Sequence, residues 1–345
     1  MDASKTFSVT RIILIVLCSL LAVTLVALIA GTIYLDRMLN RINRVEPTVP
    51  TLSQEEIDKI ENPEPDETIP EETFEVVEPE DVTFSTEPVE EIDSVNLVSI
   101  LLIGQDRRPG EGRQRSDAMI LCTINKEKKT LTMTSFLRDL YVPIPGYMDN
   151  RLNAAYALGG MPLLDQTLTT DFGVQIDGNV EVDFSEFSQI IDLMGGVDIA
   201  LTSREANYMN SHNGWSLVEG LNHLDGEKAL TYSRIRYLDS DFGRTNRQRN
   251  VLTALVNSSK NMSIPQMTSL LENLLPLVTT DMDNATIMGY ALDLFPLLSD
   301  ITIQTQHIPA DTDYYGASIR GMSVLVPNLE RCRQLLQNTL IGPEE

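Results

Sequence analysis

Arginine residues are concentrated in one short stretch of an otherwise acidic chain. The formal net charge is −24, and yet residues 232–250 hold five arginines. A guanidinium group offers a planar fork of donors that binds a carboxylate or phosphate at two points, whereas lysine would serve equally well for solubility. The stretch therefore predicts a site for a dense anion. Its arginines are Arg234, Arg236, Arg244, Arg247 and Arg249.

The two ends of this stretch should present their side chains in different ways. Arg234 and Arg236 alternate in a segment that we expect to be extended, which would point both guanidinium groups the same way. Arg244, Arg247 and Gln248 are spaced i, i+3 and i+4 at the start of a predicted helix. They should therefore share one face near the positive end of that helix.

Three predicted strands should bring a second charged group to one edge of a sheet. Strands expected at residues 98–103, 118–125 and 130–136 follow one another closely, and such neighbours usually pair as an antiparallel meander. In that arrangement the end of the first strand, the start of the second and the end of the third share one edge. That edge would carry Asp106, Asp117, Arg138 and Asp139.

The two aspartates at the ends of neighbouring strands have the chemistry of a metal site. Paired carboxylates can hold a hard divalent cation through oxygen, with waters and a substrate phosphate completing the shell. An arginine beside such a pair can both orient the carboxylates and face the phosphate. On spacing alone, a surface ion-pair cluster explains the same residues equally well. The intervening loop adds arginines that could simply be solvated, namely Arg107, Arg108, Arg113 and Arg115.

The N-terminal region has the length and hydropathy of a membrane anchor. Residues 12–35 contain no charged side chain, and as a helix they would extend about 36 Å, enough to cross a bilayer. The stretch is too long for a typical cleavable signal peptide, so we predict a retained transmembrane helix preceded by residues 1–11. The flanking basic residues leave its orientation open.

A strongly acidic segment follows the predicted membrane helix. Residues 46–93 hold eighteen acidic residues, one lysine and seven prolines, a composition that buries too little apolar surface to offset the entropy of chain ordering. We predict that residues 36–94 form a disordered stalk, which would hold the next domain away from the lipid surface. The alternative is an acidic docking strip for a basic partner.

The remainder of the chain has the composition of one globular domain. Residues 95–341 are enough for a single sizeable core, and residues 342–345 follow as a short tail. The sequence contains no Walker loop, Rossmann glycine signature or zincin motif. Nucleic acid is not an expected partner, because an acidic domain behind an acidic segment attracts polyanions poorly.

Seven sequence blocks, taken in order, resemble the LytR-CpsA-Psr (LCP) family over nearly all of residues 96–341. The blocks are ILLIGQD, RSDAMIL, SFLRDLYVPIPG, RLNAAYALGG, DLMGGVDI, LDGEKALTYSRIR and GRTNRQR. The resemblance implies an α/β/α sandwich around a mixed central sheet, with a cavity that accommodates a lipid. It also implies a single-pass protein of the cell membrane with its N-terminus in the cytoplasm and its C-terminal domain outside.

The activity that the resemblance implies is a phosphotransfer assisted by Mg²⁺ or Mn²⁺. An anionic glycopolymer of the teichoic acid or capsular polysaccharide type would pass from a polyprenyl diphosphate carrier to a hydroxyl of peptidoglycan. A phosphodiester would form and polyprenyl phosphate would be released. Two alternatives remain open: a hydrolase that delivers water to the same donor, and a non-catalytic membrane-anchored regulator that binds the polymer.

The residues of the family's site can be carried over to matching positions of this chain. Asp106 and Asp117 resemble the metal positions, and Arg138 lies beside them. The resemblance gives a catalytic set of Asp106, Asp117, Arg138 and Arg236. The substrate-binding set that it gives is Arg138, Arg234, Arg236, Arg244 and Gln248.

Two departures from the family pattern change no predicted ligand. Phe136 and Leu137 replace the usual Ile-Pro, which should alter loop stiffness more than chemistry. Arg151 replaces a lysine and keeps its charge. No general base is identifiable, although Asp117 and Asp139 are candidates, and metal ligation would make Asp117 the poorer one.

Two apolar segments are candidates for the walls of a lipid groove. Residues 264–278 and 285–298 are rich in Leu and Met, whose side chains adapt well to a lipid chain. Packing in an ordinary core explains the same pattern better. Trp215 lies in a loop-like stretch, where it could contact a sugar or simply anchor the loop.

Overall fold

The structure of the chain is a computed structural model. It describes residues 31–45, 52–62, 74–84, 89–92, 95–107, 113–236, 238–239, 241–260 and 262–342. The described helices are each too short or too polar to cross a bilayer. Most of the predicted membrane helix, residues 12–30, and most of the predicted tail, residues 343–345, lie outside the described residues.

A mixed sheet of seven strands forms the centre of the molecule. The described strands are β1 (Asn43–Arg44), β2 (Leu97–Gln105), β3 (Ser116–Asn125), β4 (Thr130–Phe136), β5 (Tyr141–Val142), β6 (Asn150–Arg151), β7 (Gly178–Asp183), β8 (Val197–Leu201), β9 (Gly220–Leu224), β10 (Thr279–Thr280), β11 (Thr302–Ile308), β12 (Tyr314–Ile319) and β13 (Met322–Pro327). The order in the central sheet is β1-β10-β7-β2-β3-β4-β11. Three two-stranded ribbons, β5-β6, β8-β9 and β12-β13, lie outside it.

The predicted meander of three strands is confirmed. β2 pairs antiparallel with β3, and β3 pairs antiparallel with β4. β7 and β11 flank the meander and pair with β2 and β4 in parallel. The carboxyl ends of β2, β4, β7 and β11 therefore meet at one edge of the sheet, together with the start of β3.

Helices cover both faces of this sheet. They are α1 (31–39), α2 (Gln54–Glu61), α3 (Leu152–Phe172), α4 (Phe184–Leu193), α5 (Ser203–Asn213), α6 (Gly226–Ser233), α7 (Asp241–Ser259), α8 (Ile264–Leu274), α9 (Asn284–Leu294) and α10 (Leu329–Leu340). Short 3₁₀ turns occupy Pro79–Asp81, Leu275–Leu277 and Phe295–Leu297.

Alternate residues of the central strands face different helix layers, as the period of two requires. Leu101 and Leu121 are fully buried in the main core with α3 and α10, and burial of each such side chain contributes about 1.5 to 3 kcal/mol. Their neighbours Leu102 and Ile120 face the opposite side, towards α4, α6 and α7. The α/β/α arrangement expected from the sequence is thus present around a mixed sheet.

A second, smaller core carries the arginine-rich stretch. It joins the β8-β9 ribbon with α5, α6 and α7 through buried residues that include Ile199, Met209, Tyr232 and Val251. α5 begins at a capping box in which the Thr202 side chain accepts from the Glu205 backbone and Glu205 accepts from the Thr202 backbone. This core fixes the direction in which α6 ends and α7 begins.

The described parts of residues 36–94 are folded against the domain, so the expected disordered stalk is wrong for these parts. Residues 31–39 form a helix whose apolar side packs near α8 and α9. α2 follows, and its Ile57 and Ile60 pack against the main core. Val76 bridges to Ser318 of β12. The acidic average conceals apolar residues spaced so that a short helix and extended pieces can bury them.

Candidate functional site

Asp117 lies at a β-bulge on the edge of the central sheet. Gly104 pairs with Ala118, and the next residue, Gln105, pairs with Ser116, so Asp117 is the extra residue of β3. A bulge of this kind bends the strand and redirects a side chain. Asp106 follows directly after β2, and the predicted juxtaposition of the two carboxylates at one edge is therefore present.

Arg138 connects the end of β4 to Asp117, as the meander predicts. Its Nη1 lies 2.7 Å from Asp117 Oδ1, and its Nε lies 3.4 Å from Asp139 Oδ2. Arg151 continues the chain of charges, since its Nε is 3.3 Å from Asp139 Oδ1 and its guanidinium donates to the Ser323 carbonyl. Asp139 is thus held between two arginines.

The electrostatics of this edge keep Asp117 ionised. Burial raises the pKa of Asp117, but the positive charges of Arg138, Arg244 and Arg236 outweigh it, and the pKa falls below its usual range. Burial likewise opposes the charge of Arg138, but the surrounding carboxylates of Asp139, Asp241 and Asp117 raise its pKa further above the ordinary value. Carboxylates and guanidinium groups here stabilise each other's charged forms.

The segment that begins at Arg234, the C-terminal cap of α6, brings Arg234 and Arg236 to the two aspartates. Arg234 has a helical backbone (φ −102°, ψ 0°), so the extended conformation expected from the sequence is wrong at this residue. Arg234 Nη2 lies 3.5 Å from Asp106 Oδ2, and Arg236 Nη2 lies 3.4 Å from Asp117 Oδ1. Both arginine side chains are about half exposed. The Arg234 guanidinium also sits 4.1 Å from the centre of the Phe184 ring. The long contacts leave donor capacity for an anion at this place.

The start of α7 supplies two of the three side chains predicted there. Arg244 and Gln248 line the same cavity as Arg236. Arg244 Nη2 is 2.7 Å from Asp241 Oδ1, while Arg244 Nε and Gln248 Oε1 are buried with no hydrogen-bond partner among the described residues. An unpaired buried polar group costs about 1 to 3 kcal/mol, so an anion that accepts from Arg244 Nε would be stabilised at this wall, whereas Gln248 Oε1 is itself an acceptor.

Arg247 does not share that face, contrary to the sequence prediction. Its Nε lies 2.7 Å from Glu205 Oε1, its Nη2 lies 2.5 Å from Asp239 Oδ2, and its Nη1 donates to the Ile235 carbonyl. The side chain is buried and ties α7 to α5 and to the segment after α6. Arg247 is therefore a structural residue.

An apolar cavity of about 220 Å³ opens at these charged residues. It lies between the sheet and helices α4, α6 and α7. The polar residues on its wall are Asp117, Ser233, Arg234, Arg236, Arg244 and Gln248. Its apolar wall includes Leu102, Ile120, Val180, Val182, Phe187 and Leu252. A cavity with an apolar interior and arginines at its opening is suited to a lipid with a negatively charged head group.

The Leu-rich and Met-rich segments proposed for a lipid groove are mainly packing elements. Of the residues 264–278 and 285–298, only Val278 borders the cavity. Leu271 and Ile287 instead pack with the core cluster that includes α1. Trp215 packs against the second core, and the Lys228 ammonium lies 5.5 Å from the centre of its ring. The structure therefore favours the loop-anchor interpretation of this tryptophan.

The remaining arginines near the site have separate environments. Arg107 lies 3.6 Å from the buried Glu181, and the Arg113 guanidinium lies 5.6 Å from the centre of the Tyr156 ring. Arg115 donates to the Ile60 carbonyl. Burial lowers the pKa of Arg249 to about 10. Arg108 lies outside the described residues.

Sequence reasoning missed a buried polar network behind the loop that follows β2. The Tyr156 hydroxyl donates to Glu181, and Gln105 Nε2 donates to both Tyr156 and Glu181. These residues fix the end of β2, from which Asp106 and Arg107 emerge. A polar residue at the end of an apolar strand was the only local signal. Its partners come from α3 and β7, which sequence spacing does not connect.

Two carboxylates alone would have to anchor the predicted cation. Among the described residues, no group of three or more His, Cys, Asp or Glu side chains is arranged to hold a metal. Asp106 and Asp117 are oxygen donors of the kind that Mg²⁺ accepts when waters and a substrate phosphate complete its shell. The donor set fits Mg²⁺ and does not fit Zn²⁺, which prefers nitrogen and sulfur ligands.

Comparisons with known proteins agree with this architecture. Residues 62–340 match the LytR_cpsA_psr family. TagT of Bacillus subtilis (strain 168), described as a polyisoprenyl-teichoic acid--peptidoglycan teichoic acid transferase, is 30% identical over 250 residues, which cover 70% of this chain and 76% of TagT.

Two solved structures extend the comparison to the fold. TagT bound to LIIa-WTA superposes with a TM-score of 0.60 at 27% identity, covering 75% of this chain and 98% of that chain. TagT with bound octaprenyl pyrophosphate lipid gives a TM-score of 0.56 at 27% identity, covering 73% and 94% of the respective chains. The ordered sequence blocks, the sheet and the match over 62–340 together show that this chain belongs to the LytR-CpsA-Psr family.

Proposed function

We propose that this protein transfers an anionic glycopolymer from a polyprenyl diphosphate carrier to a hydroxyl of peptidoglycan. A phosphodiester forms, and polyprenyl phosphate leaves. The observation that carries the proposal is the apolar cavity whose mouth holds Arg234, Arg236 and Arg244 against Asp117. A relative named as a teichoic acid transferase and a solved relative with bound octaprenyl pyrophosphate lipid support it.

The cavity would take the isoprenoid chain and the mouth its diphosphate. Burial of apolar carbon against walls such as Leu102, Ile120 and Val182 is favourable at about 25 cal/mol per Å². Arg234 and Arg236 are half exposed, and their contacts with the aspartates are long. A phosphate oxygen can therefore replace the aspartate as the acceptor in each contact. The unpaired Nε of Arg244 adds a donor to the same mouth.

The chemical step forms one P–O bond and breaks another, and the proton of the acceptor hydroxyl passes to a base. The acceptor hydroxyl oxygen attacks the phosphorus that carries the polymer, and the bond from that phosphorus to the bridging oxygen breaks. The bridging oxygen leaves with the electron pair as part of polyprenyl phosphate. Arg236 and Arg244 line the cavity and in this proposal would stabilise the charge that develops on that oxygen, since electrostatic stabilisation dominates such transfers.

Asp106 and Asp117 would hold Mg²⁺ or Mn²⁺ in this proposal. The ion would supply charge neutralisation to the diphosphate. Arg138 keeps Asp117 ionised and oriented by the contact at 2.7 Å. Asp117 is accordingly a poor proton acceptor. Asp139 is the remaining candidate base, although Arg138 and Arg151 both hold its carboxylate.

The proposal places the domain at the outer face of the cell membrane. The polyprenyl donor is membrane-bound, and the uncharged residues 12–35 have the length of a membrane anchor. A cytoplasmic N-terminus and an extracytoplasmic domain would bring the cavity to the side where peptidoglycan lies. Protease accessibility of a tag after residue 342 in intact protoplasts tests this orientation.

Product analysis tests the function. The full chain is incubated in detergent with a polyprenyl diphosphate-linked polymer and Mg²⁺, with and without a peptidoglycan acceptor. We expect polymer joined to peptidoglycan through a phosphodiester, together with polyprenyl phosphate. Release of free polymer at the same rate with and without acceptor would identify a hydrolase, and binding without turnover would identify a regulator. Either outcome would overturn the proposal.

A further inference from the structure

A second cleft of about 360 Å³ lies beside the first and shares Asp117 with it. Asp106 and Asp117 form one of its walls. Its other lining residues are Lys59, Ile60, Arg113, Gln114, Arg115 and Ala157. Three of these six carry positive charge, and the lining of this cleft is more polar than that of the apolar cavity.

The two clefts lie on opposite faces of the central sheet. Ala157 belongs to α3, and Lys59 and Ile60 belong to α2, which packs with α3 on the face of Leu101. The apolar cavity lies on the other face, below α4, α6 and α7. Asp117, the bulge residue at the edge, borders both. The carboxylate edge is therefore the place where the two clefts meet.

Arg113 presents a cationic group in the second cleft. Its guanidinium stacks on the Tyr156 ring, and its buried Nη1 has no hydrogen-bond partner among the described residues. Gly160 leaves the space for it, since a Cβ at that position would lie 2.8 Å from Arg113 Cζ. Gly160 also adopts φ +68°, which other residues rarely do. The Arg113 guanidinium is thus held in a fixed place, and its Nη1 can still donate to a ligand.

The wall formed by α2 lies N-terminal to the region that matches the family. The family match begins at residue 62, after α2 has ended at Glu61. The helix is fixed by the capping box of Ser53 and Glu56 and by the bond from Arg115 to the Ile60 carbonyl. Lys59 is exposed, and its ion-pair partner among the described residues is Glu55 one turn earlier, at 2.7 Å.

From this geometry we infer that the second cleft binds the acceptor, a glycan strand with a free sugar hydroxyl and acidic substituents. The inference rests on the proposed function. Phosphoryl transfer places the attacking and leaving oxygens roughly in line across the phosphorus. With the leaving polyprenyl phosphate on the face of the apolar cavity, the incoming hydroxyl approaches from the opposite side of the carboxylate edge. Arg113 and Lys59 there meet the acidic groups of the acceptor.

Steady-state transfer by the full chain tests this assignment, with a soluble peptidoglycan oligosaccharide as the acceptor. Arg113→Ala and Lys59→Glu should each raise the acceptor KM by about tenfold, because a charge-assisted contact is lost. The donor KM and the Tm should change little. Lys129→Glu is the matched control, since Lys129 forms a similar exposed pair with Asp300 at the far end of β4. It should leave both KM values unchanged.

Three results would decide against the assignment. An unchanged acceptor KM in both variants would show that the cleft does not bind the acceptor. If the donor KM rose instead, the cleft would bind the donor polymer. Lys59 is exposed, so its variant remains informative if Arg113→Ala lowers the Tm. Failure of the unaltered chain to join polymer to any acceptor would instead overturn the proposed function, and the acceptor assignment with it.

Discussion

Arginines from one nineteen-residue stretch occupy two different kinds of environment. At the cavity mouth, Arg234 and Arg236 have side chains that are 49% and 47% exposed, and they approach aspartates at 3.5 and 3.4 Å. Inside α7, Arg247 is 4% exposed and holds Glu205 and Asp239 at 2.7 and 2.5 Å. Burial and pairing therefore distinguish arginines that await an anion from one that already has its partners.

Arg244 combines features of both environments and shows why burial and pairing must be considered together. Its side chain is as buried as that of Arg247, and it pairs with Asp241. Nevertheless it borders the cavity and keeps Nε without a partner among the described residues. A buried arginine can thus serve a ligand when its fork is only partly used.

Substitution of an arginine at the cavity mouth should have the largest effect on turnover. Arg236→Ala is expected to lower turnover by roughly 10² to 10³-fold, the scale seen for loss of one preorganised electrostatic donor. The Tm should hardly change, because the side chain is half exposed and its contact to Asp117 is long. Transfer kinetics and thermal unfolding measure the two quantities. Arg236→Lys, which keeps the charge without the fork, should fall between the two proteins. Full activity of Arg236→Ala would contradict the comparison.

The interior arginine should show the reverse pattern, a loss of stability. Arg247→Ala leaves Glu205 without its buried partner, which is expected to cost about 3 kcal/mol of unfolding free energy, the low end for such pairs because Asp239 is partly exposed. Chemical denaturation measures this. Arg331→Ala, which breaks an exposed pair with Asp313, is the control and should cost less than about 1 kcal/mol. An Arg247→Ala protein of normal stability would show that burial does not distinguish the stabilising arginine in α7 from the arginines at the cavity mouth.

The cavity behind the mouth permits a test of intermediate size. Ala118 lines the cavity from β3, and Ala118→Leu would place extra carbon where the lipid chain is proposed to lie. We expect the KM for the polyprenyl donor to rise about tenfold, since the displaced contacts are worth roughly 1.4 kcal/mol. Ala285→Leu on the exposed side of α9 should leave it unchanged. Equal donor KM values for the two variants would show that the lipid does not bind in this cavity.

The smallest expected effect is the dependence of stability on pH. The arginines lower the pKa of Asp117 in the folded chain despite its burial. Its contribution is therefore present above the unfolded value near 3.9 and is lost as pH falls through the lower folded value. Asp117→Asn should show a shallower loss of unfolding free energy in acid, whereas Asp300→Asn, at an exposed pair, should follow the unaltered protein. Identical acid profiles for all three would refute the pairing.

The edge of the sheet was predictable because its parts are local in sequence. Residues 106–115 join β2 to β3, and residues 126–129 join β3 to β4, so the three strands are consecutive in the chain. The positions of Asp106, Asp117 and Arg138 therefore follow from the pairing of neighbouring strands. The bulge at Asp117 was missed, although Gly104 lies in β2 at the shift in register and a glycine inside a strand is a signal for a bulge. The mouth residue Asp241 was missed as well, although its position three residues before Arg244 is a usable signal.

Features that depend on distant partners escaped the sequence. Helical periodicity placed Arg247 with Arg244 and Gln248, but Glu205, some forty residues earlier, draws Arg247 to the other side of α7. The walls of the cavity resemble ordinary core in sequence, because nothing local marks where the sheet and three helices leave a gap. Residues 36–94 were judged by their average composition, which hides the apolar positions of α2. Tertiary contacts decided each of these cases.

A crystal structure of this chain with a polyprenyl diphosphate tests the central claim most directly. The account predicts isoprenoid carbon between the sheet and α4, α6 and α7, with phosphate oxygens within hydrogen-bond distance of Arg234, Arg236 and Arg244. Arg247 should keep its contacts to Glu205 and Asp239. A lipid bound along α8 and α9, or phosphates seated away from Asp106 and Asp117, would contradict it.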